Sequence, residues 1–302
     1  MSRAPVEIDP RVLRTYLAVC RERSISGAAR RLAVSQPSVS VAITQLENRL
    51  GCSLFKRGRQ GIVLTEAGVA LMRRAEMLEA LLHEAAEAVR LAQQGSRGPL
   101  RIGGTPGALV SLVPTAVMAM EADSHMALHI VEAPDATLTD LLRRGEIEVA
   151  VVTTGIERPP ADIDERDVAR DPFALIVGRA HDGLGPSVTL RETATMGWVL
   201  PQAAGAFHRQ IDALFLGAGV AVPTDVIRCD SLLTSKAIVR EGRRVTILPR
   251  GVVAAELASG VLREVSLADV NITRTIGIRT LRGRGLSALG GQFVAALTGP
   301  GP

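Results

Sequence analysis

Residues 24–51, SISGAARRLAVSQPSVSVAITQLENRLG, constrain this chain more than any other stretch, because they read as two short helices joined by a turn that allows only a close crossing. Ser26 is placed to cap a first helix running to about Ala33. Its Ala28, Ala29 and Leu32 are small or apolar enough for a second helix to pack closely. Val34 and Ser35 form the turn, and Ser35 then caps a second helix whose first turn accepts Pro37, since the N–H that proline lacks is unpaired there anyway. Val39, Ile43, Leu46 and Leu50 follow at steps of four, three and four, which makes one buried stripe, and Gly51 ends the helix. Opposite the stripe stand Ser38, Val41, Thr44, Gln45 and Asn48, with Gln36 at the mouth of the helix. Short amides and hydroxyls on an outward face suit the base edges of a major groove.

The flanks separate this reading from that of an ordinary two-helix corner. Upstream, Val12, Leu13, Tyr16, Leu17 and Cys20 form the apolar face of the third helix that such a motif needs for a core. Downstream, SLFKRGRQGIVLT alternates and turns at glycines, a small hairpin or wing presenting Lys56, Arg57 and Arg59. Through Arg59 the chain holds eleven basic residues against four acidic ones, a surplus of +7, whereas the whole chain carries +4. The positive charge is therefore concentrated beside the candidate recognition helix, where phosphates would be neutralised.

The run LRTYLAVCRERSISGAARRLAVSQPSVSVAITQLENRLGCSLFKRGRQGIVLTEAG resembles the N-terminal domain of LysR-type transcriptional regulators. Ala28-Ala29, Ser35-Gln36-Pro37, Leu46-Glu47, Gly51, Leu54-Phe55 and Leu64-Thr65-Glu66-Ala67-Gly68 carry the resemblance. It implies double-stranded DNA as a partner, bound by Ser35, Gln36, Pro37, Ser38, Val41 and Gln45 of the second helix and by Lys56, Arg57 and Arg59 of the wing. Two positions depart from the family pattern. Val41 stands where many members carry a basic residue, and Thr44 is short where longer polar side chains are frequent, so the base preference is not inherited from relatives.

From Thr65, a candidate N-cap, to about Gln94 there is no proline and one early glycine, which allows a helix of some 30 residues, about 45 Å long at 1.5 Å per residue. Leu71, Ala75, Leu78, Leu82, Ala85, Val89 and Ala92 repeat at alternating steps of four and three, a heptad seam that demands a partner helix. In the family this helix makes the dimer. Gly95, Ser96, Arg97, Gly98 and Pro99 then stop the helix as a hinge-like linker.

Beyond the hinge, strands and helices alternate as parallel βα units: LRIGG, ALHIVE, EVAVVT, PFALIVG, GWVLP, DVIRCDS, VTILP, VLREV and TIGIRT are the candidate strands. About 200 residues are many for one sheet, so two α/β subdomains are expected, joined by strands crossing near Val168 to Asp171 and near Asn271 to Thr275. The family's C-terminal part is such a two-lobed effector domain, similar to type 2 periplasmic solute-binding proteins. The expected fold class is thus α/β with an N-terminal all-α winged helix-turn-helix. Its divisions are 1–65 for DNA binding, 66–98 for the linker helix and hinge, and 99–302 for the effector domain. Lobe I takes about 99–168 and 273–302, and lobe II about 169–272.

Ligands of open α/β sheets sit outside the carboxyl ends of the strands, where helix N-termini offer unpaired N–H groups to anions. Five such ends carry Thr105, Ala133 and Pro134, Thr154, Gln202, and Ser231, and together they outline a cleft for a small metabolite, with a carboxylate or another anion favoured. Trp198 lies in the strand that delivers Gln202, which makes it a candidate reporter of lobe closure.

Other chemistry is missing from the pattern. GGTPG is neither G-x-G-x-x-G nor a Walker sequence, His125 and His129 lack a third metal ligand, and the serines and histidines form no nucleophile elbow or triad order. No catalytic residue, metal or cofactor is expected. Cys20 and Cys52 read as core fillers, Cys229 as a thiol with a redox role left open, and an odd count argues against structural disulfides. MSRAPVEIDP lacks an apolar signal core and no run reaches a membrane span of ~18 residues, so a cytoplasmic protein is expected. Seven aromatic residues are too few for a single-strand stacking platform. The reading is a LysR-type regulator, with homodimer and effector-domain homotetramer, and contact with RNA polymerase, implied by the resemblance. An enzyme or solute-binding protein with a fused helix-turn-helix is the alternative.

Overall fold

The computed structural model describes residues 8–299 except 59–60, 122–124, 203–205 and 271–272. The chain divides into two compact units, Met1–Arg90 with Arg143–Glu146 and Leu91–Leu142 with Ile147–Pro302, and each is described by itself.

The N-terminal unit runs α1 (Pro10–Glu22), α2 (Ile25–Leu32), α3 (Gln36–Leu50), β1 (Phe55–Gly58), β2 (Gly61–Leu64) and α4 (Glu66–Gln93). Tyr16, Leu17 and Val19 of α1, Ala28 and Ala29 of α2, and Val39, Ile43 and Leu46 of α3 bury one shared core, and Leu54 enters it from the loop before β1. Ser24, rather than Ser26, caps α2: its Oγ accepts the Gly27 amide at 3.2 Å. A start at Ile25 draws that side chain against the core beside Ala28 and Ala29, and a cap at Ser26 would leave it outside the helix. Ala33 takes the left-handed C-cap conformation (φ 54°), with Val34 N–H donating to the Ala29 carbonyl at 3.0 Å, and this reverses the chain into α3. β1 and β2 form an antiparallel hairpin from Phe55↔Leu64 to Gly58↔Gly61, the expected wing.

The C-terminal unit opens with β3 (Arg97–Gly104), α5 (Pro106–Glu121), β4 (Met126–Glu132), α6 (Asp135–Arg144) and β5 (Val149–Thr154), followed by a long strand, β6 (Ile163–Val177). Then come β7 (Ser187–Val188), β8 (Gly197–Leu200), α7 (Ala206–Gly217), β9 (Val226–Arg228), α8 (Leu232–Glu241), β10 (Arg244–Pro249), α9 (Ala254–Ala258) and β11 (Arg263–Leu267), and the chain closes with β12 (Thr273–Leu281) and α10 (Ala288–Thr298). Two lobes share β6. Its first ten residues pair with β12 in the order β4-β3-β5-β12-β6, and its last five pair with β10 and β11, with β8 and β9 beyond β10. The expected strand PFALIVG is therefore the second half of one continuous strand, and the crossing at Val168 to Asp171 falls inside it. Of the second expected crossing, Thr273 to Thr275 open β12, while Asn271 and Ile272 lie outside the described residues.

Both faces of each lobe's central strands are covered, which is why these strands read as continuous apolar runs. In lobe I, Val149 and Val151 face α5 and α10, and Ala150 and Val152 face α6. In lobe II, Trp198 and Leu200 of β8 point to one side and Val199 to the other. The Trp198 indole is fully buried, edge-on to Phe215 at 5.4 Å, and its Nε1 donates to the Thr193 carbonyl at 3.1 Å. It belongs to the lobe II core and is closed off from solvent, so it is no direct reporter of lobe closure. Cys20 is half-buried as expected, but Cys52 is exposed just beyond the end of α3. Among the described residues no helix is long and apolar enough to cross a membrane.

Candidate nucleic-acid interface and effector cleft

On α3 the stripe Val39, Ile43 and Leu46 is buried, so the helix is rotated with Gln36, Ser38, Val41, Thr44, Gln45 and Asn48 in solvent. Ser35 Oγ accepts the Ser38 amide at 3.2 Å and lies 2.7 Å from Ser38 Oγ, so the two hydroxyls complete the N-cap together. Pro37 occupies the first turn, exposed. Thr44 Oγ1 donates back to the Ser40 carbonyl at 3.0 Å, which leaves Gln36 and Gln45 as the long polar side chains of this face. Val41 is 54% exposed, an apolar group held in water on a surface otherwise polar, and of a size to meet a thymine methyl. Lys56 is exposed on β1. Arg57 pairs through its backbone with Ile62, and Arg59 lies outside the described residues.

The heptad seam on α4 divides. Thr65 caps the helix, its Oγ1 accepting the Gly68 amide at 3.0 Å. Leu71, Ala75 and Leu78 then pack on the core of their own domain, with Ala75 only 1% exposed. Leu82, Ala85 and Val89 stand in solvent, as does Leu81. A period of 3.5 marks an apolar face without stating what covers it, and for the first half of this face the cover is intramolecular.

In the C-terminal unit each expected residue lies at or just beyond the carboxyl end of its own strand, but their polar groups differ in availability. Thr105 is the N-cap residue of α5: its carbonyl accepts the Ala108 and Leu109 amides, each at 3.0 Å, and its amide donates to Val151 O at 3.1 Å. Ala133 and Pro134 join β4 to α6, and Pro134 O accepts the Leu138 amide at 3.0 Å. The Thr154 side chain is buried and its Oγ1 donates to Asp167 Oδ1 at 2.7 Å, so its hydroxyl serves the crossing strand. Ser231 Oγ accepts the Thr234 amide at 3.3 Å and lies 2.9 Å from Thr234 Oγ1, which makes it the cap of α8. Gln202 keeps its side chain in solvent while its amide donates to Asp230 Oδ1 at 2.8 Å. Thr105 and Gln202 are thus the two whose side chains are not engaged by any bond described.

Charge is placed unevenly around these ends. Asp135 opens α6, and Arg279 lies between Glu165 Oε2 at 2.7 Å and Asp135 Oδ1 at 3.5 Å, the second too long for a hydrogen bond. Burial pushes the Asp135 carboxyl above its ordinary range, opposed by Arg279. Arg209 of α7 reaches Glu157, beyond β5, at 3.0 Å, an exposed ion pair joining the two lobes. At the crossing strands, Arg274 Nη2 meets Asp171 Oδ2 at 2.8 Å with both side chains buried; it also donates to Ser111 Oγ at 2.9 Å and to the Gly107 carbonyl at 3.1 Å. Asp171 Oδ1 accepts the Gly251 amide of lobe II at 2.9 Å.

The family model "Bacterial regulatory helix-turn-helix protein, lysR family" matches residues 10–69, and "LysR substrate binding domain" matches residues 93–299. The chain belongs to the LysR family of transcriptional regulators. This LysR regulator is 26% identical over 277 residues to the HTH-type transcriptional regulator PcaQ of Agrobacterium fabrum, a match covering 90% of this chain and 89% of that one. Its fold is that of ArgP from Mycobacterium tuberculosis (TM-score 0.68, 19% identity, 97% of each chain) and of full-length CbnR solved with its target DNA (TM-score 0.64, 21% identity, 96% of this chain and 99% of that one). The family assignment does not favour an enzyme or solute-binding protein with a fused helix-turn-helix. What the sequence reading of this LysR regulator missed is the Arg274–Asp171–Ser111 network. The available signal was a charged residue in each of two crossing strands, although their pairing, 103 positions apart, is set only by the register of β12 on β6.

Proposed function

We propose that this LysR regulator binds duplex operator DNA as a dimer, with Gln36, Ser38, Val41 and Gln45 reading bases and Lys56, Arg57 and Arg59 meeting phosphates. The observation that carries this reading is the exposed polar face of α3, held opposite a buried apolar stripe behind an N-cap, together with Lys56 exposed on the wing. The far half of α4, with Leu82, Ala85 and Val89 uncovered, supplies the dimer contact. The effector is a small anion held at the N-terminus of α5 by Thr105. Two other strand ends already carry carboxylates, Asp135 at α6 and Asp230 on the Gln202 amide, whereas the first turn of α5 has no acidic residue. Divisions at 65 and 98 and a cytoplasmic location complete the proposal.

Base contacts and phosphate contacts fail differently, and that difference is the test. Gln36→Ala should cost about 1 to 3 kcal/mol on a selected operator and almost nothing on random duplex, whereas Lys56→Ala should weaken both and lower the salt slope by roughly one. Equal losses on both duplexes for Gln36→Ala, measured by fluorescence anisotropy, would remove α3 as the recognition helix.

A further inference from the structure

One residue, Leu54, joins the recognition helix to the linker helix. Its amide donates to Glu47 Oε1 of α3 at 2.7 Å, and the Phe55 amide donates to the same oxygen at 3.2 Å. Its carbonyl accepts the Thr65 amide at 3.0 Å, immediately before α4. The contact is doubled by Thr65 Oγ1, which donates to the Ser53 carbonyl at 2.8 Å, and tied to α1 by Tyr16 Oη, which donates to the Gly68 carbonyl at 2.7 Å. Leu54 itself is 1% exposed, locked in the core. Gly68 is what permits the approach, because a Cβ there would be driven into the Leu54 carbonyl oxygen and against Leu64. The first turn of α4 is therefore seated on the peptide that Glu47 holds from the other side.

We propose that Glu47 and Gly68 are positioning residues that set the angle between α3 and α4 through Leu54, and so set the spacing of the two half-sites a dimer can engage. The inference rests on the dimer reading of α4. The leverage is large. A 28-residue helix is about 42 Å long, so 10° of play at its base moves the far end by about 7 Å, which is two base-pair steps of 3.4 Å. Each step also rotates the second half-site by about 35°, so a stiff junction discriminates sharply between neighbouring spacings.

The test begins with duplexes selected from a randomised library by the wild-type full-length chain, which define its half-sites and their spacing. Synthetic duplexes then carry those half-sites at the selected spacing and displaced by one or two base pairs either way, together with a single half-site. Wild type should lose about tenfold or more on a one-step displacement, the order expected of a rigid two-site reader. Glu47→Ala and Gly68→Ala should discriminate by no more than about threefold while holding the single half-site within about twofold of wild type. Glu47→Gln, which keeps an acceptor oxygen at the same reach, should restore the sharp profile. Because Gly68→Ala is able to disturb folding, the Glu47→Ala and Glu47→Gln pair carries the test by itself. A Glu47→Ala dimer with the wild-type spacing profile overturns the inference, as does a uniform loss at all spacings that glutamine does not rescue. Light scattering on the same preparations separates the readings: a monomeric wild type overturns the dimer and this inference together, whereas a dimeric wild type with an unchanged Glu47→Ala profile overturns this inference alone.

Discussion

Removing one partner of the Arg274–Asp171 pair is expected to destabilise the effector domain far more than removing both. The two side chains are 5% and 8% exposed, and Asp171 accepts bonds from Arg274, Ser111 and the Gly251 amide. Burial lowers the Arg274 pKa, opposed by the hydrogen bond and charge of Asp171. Arg274→Met leaves a buried carboxylate facing two neutral donors, and Asp171→Asn leaves a buried guanidinium facing neutral acceptors. Breaking a buried pair in this way costs about 3 to 5 kcal/mol, against near neutrality for replacing both charges with groups of similar volume. For a domain of about 200 residues, at 2 to 4 °C per kcal/mol, each single substitution should lower the effector-domain transition by about 6 to 20 °C. Asp171→Asn keeps an oxygen for the Gly251 amide, so the double variant should be no worse than the weaker single. Calorimetry on the full chain, with the effector-domain transition followed across all four members of the cycle, reads this directly. Singles that each cost less than about 1 kcal/mol, or a double equal to their sum, would refute the claim that the pair acts as one buried unit.

The two halves of the α4 seam should respond in opposite ways. Ala75→Glu forces a carboxylate into the three-helix core and should unfold the DNA-binding domain at any concentration, whereas Leu82→Glu, at a position 39% exposed, should leave that domain's melting unchanged and shift light-scattering mass from dimer to monomer. A Leu82→Glu protein of unchanged mass would move the interface elsewhere. The Asp135 carboxyl gives a pH test. Its folded pKa is raised above the ordinary 3.8 by burial, so the folded state binds the proton more tightly than the unfolded chain, and the group's contribution is greatest at low pH and lost as pH rises through the folded value. The melting temperature of Asp135→Asn relative to wild type should therefore become more favourable to the variant from pH 4 to pH 7. A difference that stays flat would show that Arg279 fully offsets the burial.

The DNA-binding half was legible because its determinants are local. The stripe Val39, Ile43, Leu46 and the Ser35 cap are fixed by helical period and by the backbone's own unpaired N–H groups, and both lie within one turn of the residues that satisfy them. One local misreading, Ser26 for Ser24, arose because two serines sit one residue either side of Ile25, and only the packing of Ile25 against the shared core decides between them. The βα alternation of the effector domain was legible for the same reason, since strands covered on both faces are apolar throughout.

What the sequence by itself could not determine is which partner a group meets across the fold. Leu71, Ala75 and Leu78 share their period with Leu82 and Val89, yet the first three pack on the core of their own domain while the last two stand exposed. Thr154 and Ser231 sit at strand ends that suit a ligand, but β6 brings Asp167 to the first and the second is engaged as the N-cap of α8. Arg274 and Asp171 become a pair only when β12 lies antiparallel on β6 in a single register. Periodicity is a property of neighbours along the chain and survives in the sequence. The partner of a buried polar group is chosen by the docking of distant elements, because desolvation makes any unpaired arrangement too costly to persist.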